Sequence, residues 1–127
     1  MPPRFLRPDE VLLIHKDQVE RYGGSGDVRD LALLDSAVAM PQTGVADEHA
    51  HGDLFAMAAA YLFHIVRNHP FVDGSKRTGA APAIVFLLLN GVALQADEEG
   101  LEHIVRCVAQ GKADKTEVAG FLRGMAP

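Results

Sequence analysis

Apolar positions recur along the chain mainly at three- and four-residue intervals, a pattern that predicts helices and little else. The first opens at Pro8-Asp9-Glu10, a proline and two acids suited to a first turn. Val11, Leu12, Ile14, Val19 and Tyr22 give it an uneven apolar face. Gly23-Gly24 end it and residues 24–27 form a loop. The second runs from about residue 30 to residue 40, where Leu31, Leu34, Ala37 and Val38 keep the period and Pro41 stops it. After a polar loop over residues 42–52, Asp53 is suited to cap a third helix with Leu54, Ala58, Leu62 and Ile65 at helical spacing. His69 continues that series at the last turn, and Pro70 turns the chain out of the helix.

A fourth helix begins around residues 74–76 and runs to Asn90-Gly91, a favourable C-terminal pair. Its segment AIVFLLLN is apolar nearly all round, which predicts a buried central helix. Pro82 lacks a backbone donor and is expected to kink this helix or displace its start. The fifth spans about 98–109 with Leu101, Ile104, Val105 and Val108 on its core face. The sixth starts near Lys115 or Thr116 and carries Val118, Phe121 and Leu122. No segment alternates with period two long enough to demand a strand, although residues 91–95 have room for a short extended piece. The expectation is an all-α single domain over residues 1–127, a bundle of about six helices.

Composition narrows the function classes. With 127 residues and 48% apolar content the chain has material for one real core. A net charge of −5 argues against a broadly basic surface, so direct nucleic-acid binding is not expected. Cys107 is the only cysteine, which excludes an internal disulfide and reads as a small buried hydrophobe. The opening MPPRFLRPDE has no apolar signal core. The longest uninterrupted apolar run, residues 83–89, falls short of the roughly 20 residues of a membrane span. These points predict a cytoplasmic protein without membrane association. His49-Ala50-His51 invites a metal reading, but no acid or cysteine pairs with it, so a solvated loop is the expectation.

The chemistry concentrates in residues 69–79, HPFVDGSKRTG. A common phosphate loop needs Gly, four residues, then Gly-Lys-Ser/Thr after a strand. Here Gly74 is followed by serine and a helix precedes, so that reading fails. A helix N-terminus that favours anions fits better. Gly74 permits a tight turn, Ser75 either caps the helix or bonds a phosphate oxygen, and Lys76 and Arg77 add positive charge. Asp73 is a hard oxygen donor of the kind magnesium accepts beside phosphates. His69 is an imidazole, with an ordinary pKa of about 6.5, able to take a proton from an attacking hydroxyl. Singly, each residue also has a plain structural reading: a helix-end histidine, a capping acid, a solvated first turn. Phe71 reads as a core plug that anchors the loop. Their joint spacing before a buried helix is what points to phosphoryl or nucleotidyl transfer.

Positions 69–78, His-Pro-Phe-Val-Asp-Gly-Ser-Lys-Arg-Thr, resemble the signature of the Fic/Doc superfamily in its Doc (death-on-curing) branch. Lys76 stands where Fic proteins have glycine, and Ala80 where they place a second arginine. Arg21-Tyr22-Gly23-Gly24, Arg29-Asp30, Leu33-Leu34-Asp35-Ser36-Ala37, Pro41-Gln42 and Asn90-Gly91 are similar to further stretches of Doc proteins. The resemblance implies a Fic/Doc helical fold and the toxin of a bacterial toxin–antitoxin pair. Such a toxin passes the terminal phosphate of ATP to a hydroxyl of a protein target, a translation elongation factor, and arrests translation. It implies ATP and Mg2+ as cofactors, and an antitoxin partner whose disordered C-terminal segment folds on binding. Carried over by position, His69 is the base, Asp73 the magnesium ligand, and Lys76 and Arg77 the phosphate grips beside Gly74 and Ser75. Arg67 matches a functional arginine of Doc proteins; as a residue alone, it equally reads as a cation near a helix C-terminus. Ser75 replaces the motif asparagine, and Gly79, Ala81 and Pro82 also depart from the pattern. Those departures keep two alternatives open: AMP transfer of the Fic type, and a catalytically weak member that binds or regulates through its antitoxin.

Overall fold

The structure is a computed structural model that describes residues 3–23, 30–42, 53–68 and 75–127, with only the backbone for Tyr22 and residues 75–79. Its helices are α1 (Pro8–Tyr22), α2 (Leu31–Ala39), α3 (Leu54–Asn68), α4 (Ser75–Leu89), α5 (Glu98–Ala109) and α6 (Lys115–Met125). A 3-10 turn, Met40–Gln42, extends α2, so Pro41 tightens that helix end rather than simply stopping it. No strand occurs among the described residues. The extended piece expected over residues 91–95 builds no ladder: the Gln95 N–H donates to the Met125 carbonyl at 2.8 Å. Of the expected loop over residues 42–52, Gln42 belongs to the 3-10 turn; residues 43–52, His49 and His51 included, and the expected loop over 24–27 lie outside the described residues.

Aspartates begin four of the helices. Asp30 accepts the Leu33 N–H at 3.1 Å, Asp53 that of Ala56 at 2.7 Å, Asp97 that of Gly100 at 3.0 Å and Asp114 that of Glu117 at 2.8 Å. Each satisfies an amide left over at a helix start. Helices α4 and α5 end alike, on a glycine with positive φ: Gly91 at 84° and Gly111 at 75°. In each, the glycine amide and the one after it fold back onto carbonyls of the last turn, as in Lys112 N–H to Cys107 O at 2.7 Å.

Helix α3 is the hub, packed against α2, α4, α5 and α6. Ala58, Ala59, Ala60, Tyr61 and Leu62 are buried in succession, followed by Ile65 and Val66. Three alanines let neighbouring helices approach on several sides, so burial is not confined to one stripe. Helix α4 makes the most extensive packing with α3, through Ala80, Ala83, Phe86 and Leu87. Its burial is less complete than its composition predicts, because Leu88 and Leu89 are 55% and 47% exposed. Pro82 lies buried inside α4, whose start at Ser75 precedes it, so the proline does not displace the helix start. Cys107 is half-buried rather than buried, with Sγ 3.6 Å from His103 Nε2. His15, absent from the expected core, is buried on α1.

Residues 3–7 strap the bundle together. The buried Tyr61 hydroxyl accepts the Leu6 N–H at 2.7 Å. Phe86 meets the rings of Phe5 and Tyr61 at centroid distances of 5.8 and 5.3 Å. The Asn90 side chain accepts the Arg4 N–H at 2.8 Å and donates to the Arg4 carbonyl at 3.0 Å. Burial pushes the Tyr61 phenol up to about 12 from its ordinary value of 10.

Tyr61→Phe is expected to cost about 1–3 kcal/mol in urea unfolding, because the Leu6 amide loses its acceptor in the core. The raised phenol pKa gives stability that is complete below pH 10 and is lost as pH rises towards 12. That part of the alkaline decline should be missing from the phenylalanine variant. A second test concerns Gly100, where an added Cβ would stand 2.8 Å from the Phe121 ring of α6. Gly100→Ala should therefore destabilise the protein by about 1–3 kcal/mol despite alanine's better helix propensity, read by the urea midpoint.

Candidate active site

The signature straddles the junction of the two most closely packed helices. Helix α3 runs to Asn68 and α4 starts at Ser75, so six residues, 69–74, connect them. His69, Asp73 and Gly74 fall in that connection, with Phe71, and lie outside the described residues. Lys76 and Arg77 belong to the first turn of α4, where only the backbone is described. Ser75 is the first helical residue, one place inside the position a cap would take. The first amides of α4 have no carbonyl of their own helix to bond, and the helix dipole is positive there. Residues 75–77 thus put two cationic residues and a set of backbone donors at one helix end.

Arg67 is exposed on the last turn of α3. Its Nη1 donates to the Val108 carbonyl at 3.4 Å, a long bond that reaches the last turn of α5. A hollow of about 340 Å³ opens beside it, lined by Phe63, Arg67, Gly111, Lys112, Ala113, Asp114 and Glu117. Asp114 and Glu117 are occupied in starting α6, each carboxylate accepting the other's N–H. That bond uses one of the five donors of the Arg67 guanidinium. Nothing in the hydrophobic pattern marks this hollow, because it depends on α5 turning at Gly111 back towards α3.

Sequence reasoning also passed over Asn68. Its Nδ2 donates to the Leu33 carbonyl at 3.1 Å, tying the end of α3 to α2. The available signal was a polar amide in the final turn of an otherwise apolar helix. In the other stretches resembling Doc proteins, Gly23 ends α1 at φ 86°, Asp30 caps α2, and Leu34 and Ala37 enter the core. Arg21 pairs with Asp17 at 2.9 Å on the surface.

The family model of the Fic/DOC family matches residues 5–87, about two thirds of the chain. The protein belongs to the Fic/DOC family. That span takes in the N-terminal strap, α1 to α3, the connection and most of α4. The chain is 44% identical over 107 residues to Toxin Doc of Mycolicibacterium smegmatis, covering 83% of this chain and 82% of that one. It is 33% identical over 120 residues to Protein kinase doc of Escherichia phage P1, covering 94% of each. These relatives place this Fic/DOC protein in the Doc branch. The α5–α6 connection and Glu117 of α6, which line one wall of the hollow, lie beyond the matched span.

Gly111→Ala is expected to destabilise this Fic/DOC protein by about 1 kcal/mol, because its φ of 75° suits glycine and a Cβ would stand 3.4 Å from Arg67 Nη1. Chemical denaturation reads the cost.

Proposed function

We propose that this protein is a Doc-type toxin of a bacterial toxin–antitoxin pair. In this reading it transfers the terminal phosphate of ATP to a hydroxyl of a protein target, a translation elongation factor, and so arrests translation. The observation that carries the reading is the start of α4 at Ser75, which puts Lys76 and Arg77 in the first turn, six residues after α3 ends. The names of the two relatives, Toxin Doc and Protein kinase doc, point the same way.

The steps follow from the residues. Neutral His69 takes the proton of the target hydroxyl as its oxygen forms a bond to the terminal phosphorus. The bond between that phosphorus and the bridging oxygen breaks, and ADP leaves. Lys76, Arg77 and the first amides of α4 stabilise the charge spread over the phosphate oxygens, with Arg67 at the edge. Asp73 suits Mg2+, since a single carboxylate together with phosphate oxygens is the donor set that ion accepts; when bound it neutralises phosphate charge. Ala80 bears on the choice of donor group. It is 9% exposed in the α3–α4 core, so the position of the second Fic arginine is filled by a small apolar residue. That favours phosphate over AMP transfer.

The antitoxin belongs to the proposal too, as a partner that folds a disordered segment onto the toxin. No helix among the described residues is long and apolar enough to cross a membrane.

Two ATP samples, labelled on the terminal or the innermost phosphate, test the reaction in a bacterial lysate. Label should reach a protein from the terminal phosphate only, and His69→Ala should reduce transfer by at least about 100-fold. Transfer from the innermost phosphate would establish AMP transfer instead. Growth arrest equal for wild type and His69→Ala would support the catalytically weak, antitoxin-binding alternative.

A further inference from the structure

The geometry points to Gly111 as a positioning residue for Arg67, acting through the turn that ends α5; this rests on the proposed place of Arg67 at the edge of the phosphate site. The Val108 carbonyl accepts two donors, the Gly111 N–H at 3.1 Å and Arg67 Nη1 at 3.4 Å. One oxygen therefore both closes α5 and receives the guanidinium. Val108 is fully buried, so its peptide is held by the core. The last carbonyls of a helix also carry the negative end of its dipole, which suits a cation. The two acids of the hollow, Asp114 and Glu117, cap α6, and the guanidinium sits on this backbone oxygen.

Helix α4 ends in the same way, and the comparison isolates what is particular to Gly111. Gly91 has φ 84° and Gly111 φ 75°. The Gly91 N–H donates to the Leu88 carbonyl at 3.1 Å and the Val92 N–H to that of Leu87 at 3.0 Å, the same pattern as at α5. Among the described residues, a Cβ added at Gly91 meets nothing within 4 Å, whereas at Gly111 it meets one atom, Arg67 Nη1, at 3.4 Å. That separation is ordinary contact, so a methyl there would lodge against the guanidinium in the hollow that both residues line. A ligand oxygen needs to come within about 3 Å of a guanidinium nitrogen, and the methyl would take that space. The glycine thus has two effects on Arg67. Its left-handed turn presents the Val108 carbonyl, and its missing side chain leaves the Nη1 edge open to the hollow.

Gly111→Ala is tested beside Gly91→Ala, which carries the same cost of a left-handed φ without a neighbour. The Arg67 Nε–Hε proton resonance, assigned by its absence in Arg67→Ala, should move in Gly111→Ala and stay in place in Gly91→Ala. Transfer from ATP labelled on the terminal phosphate should fall about 10-fold in Gly111→Ala and hold its wild-type rate in Gly91→Ala. Added to Arg67→Ala, the Gly111 change should lower transfer no further. Gly111→Asn is the second variant, because asparagine tolerates left-handed backbone and still places a Cβ beside Nη1. It should shift the resonance with a smaller loss of stability, so the test survives if the alanine variant does not fold. An Arg67 resonance unmoved in the folded Gly111 variants would overturn the inference, as would an equal loss of transfer with and without Arg67. If the resonance moves while wild type transfers no phosphate, the proposed reaction fails and the positioning stands.

Discussion

The fold depends on one helix that has almost no solvent side. Along α3, Ala58 to Leu62 are buried without interruption, and four other helices pack on it. A helix buried on several sides cannot carry large residues on all of them, and the three consecutive alanines are the consequence. Among the polar groups it buries, the Tyr61 hydroxyl is spent on the Leu6 amide and draws the N-terminal strap inward. Because the strap also stacks Phe5 on Phe86 and ties Arg4 to Asn90, α3 and α4 are held together at positions remote from their junction. The helix ends that flank residues 69–74 therefore belong to two helices fastened to each other elsewhere.

The proposed transfer would take place on a connection of six residues. A loop between two mobile elements would spread its side chains over many geometries, and transfer to phosphorus tolerates little spread. Here one end leaves α3 through Arg67 and Asn68, each bonded to a different helix, and the other enters α4 at Ser75. Positive charge and backbone donors are gathered on the α4 side, where a helix start favours anions without any special geometry.

Helix order, most boundaries and the all-α class were legible because each segment carried a clear period, an aspartate at its start or a glycine at its end. Two features were less legible, for related reasons. AIVFLLLN is the most apolar stretch, yet Leu88 and Leu89 reach the surface while the less hydrophobic AAAYL is fully buried. Burial follows from how many neighbours a helix has, which periodicity within one helix does not contain. The hollow beside Arg67 and the bond from Asn68 to Leu33 join residues 41 or more and 35 positions apart, so no local pattern could announce them. The reading of the signature rests on residue types and spacing alone, whereas the bonds that tie Arg67 and Asn68 to other helices had no local pattern to carry them.

Two of the departures from the Doc pattern, Pro82 and Ser75, weigh differently once the helix boundaries are known. Pro82 sits eight residues into a helix counted from Ser75, and its missing N–H would have faced the Thr78 carbonyl, within the helix rather than at its first amides. It leaves the start of α4, and hence the anion-favouring end, where the motif needs it. Ser75 is the more consequential change, because it stands at that end. As the first helical residue, it still contributes its backbone amide, and an amide does not depend on the side chain it accompanies. What the serine gives up is the reach of a carboxamide beyond the helix end. For the proposed phosphate transfer, the expected consequence is a weaker grip on one phosphate oxygen rather than loss of the backbone donors.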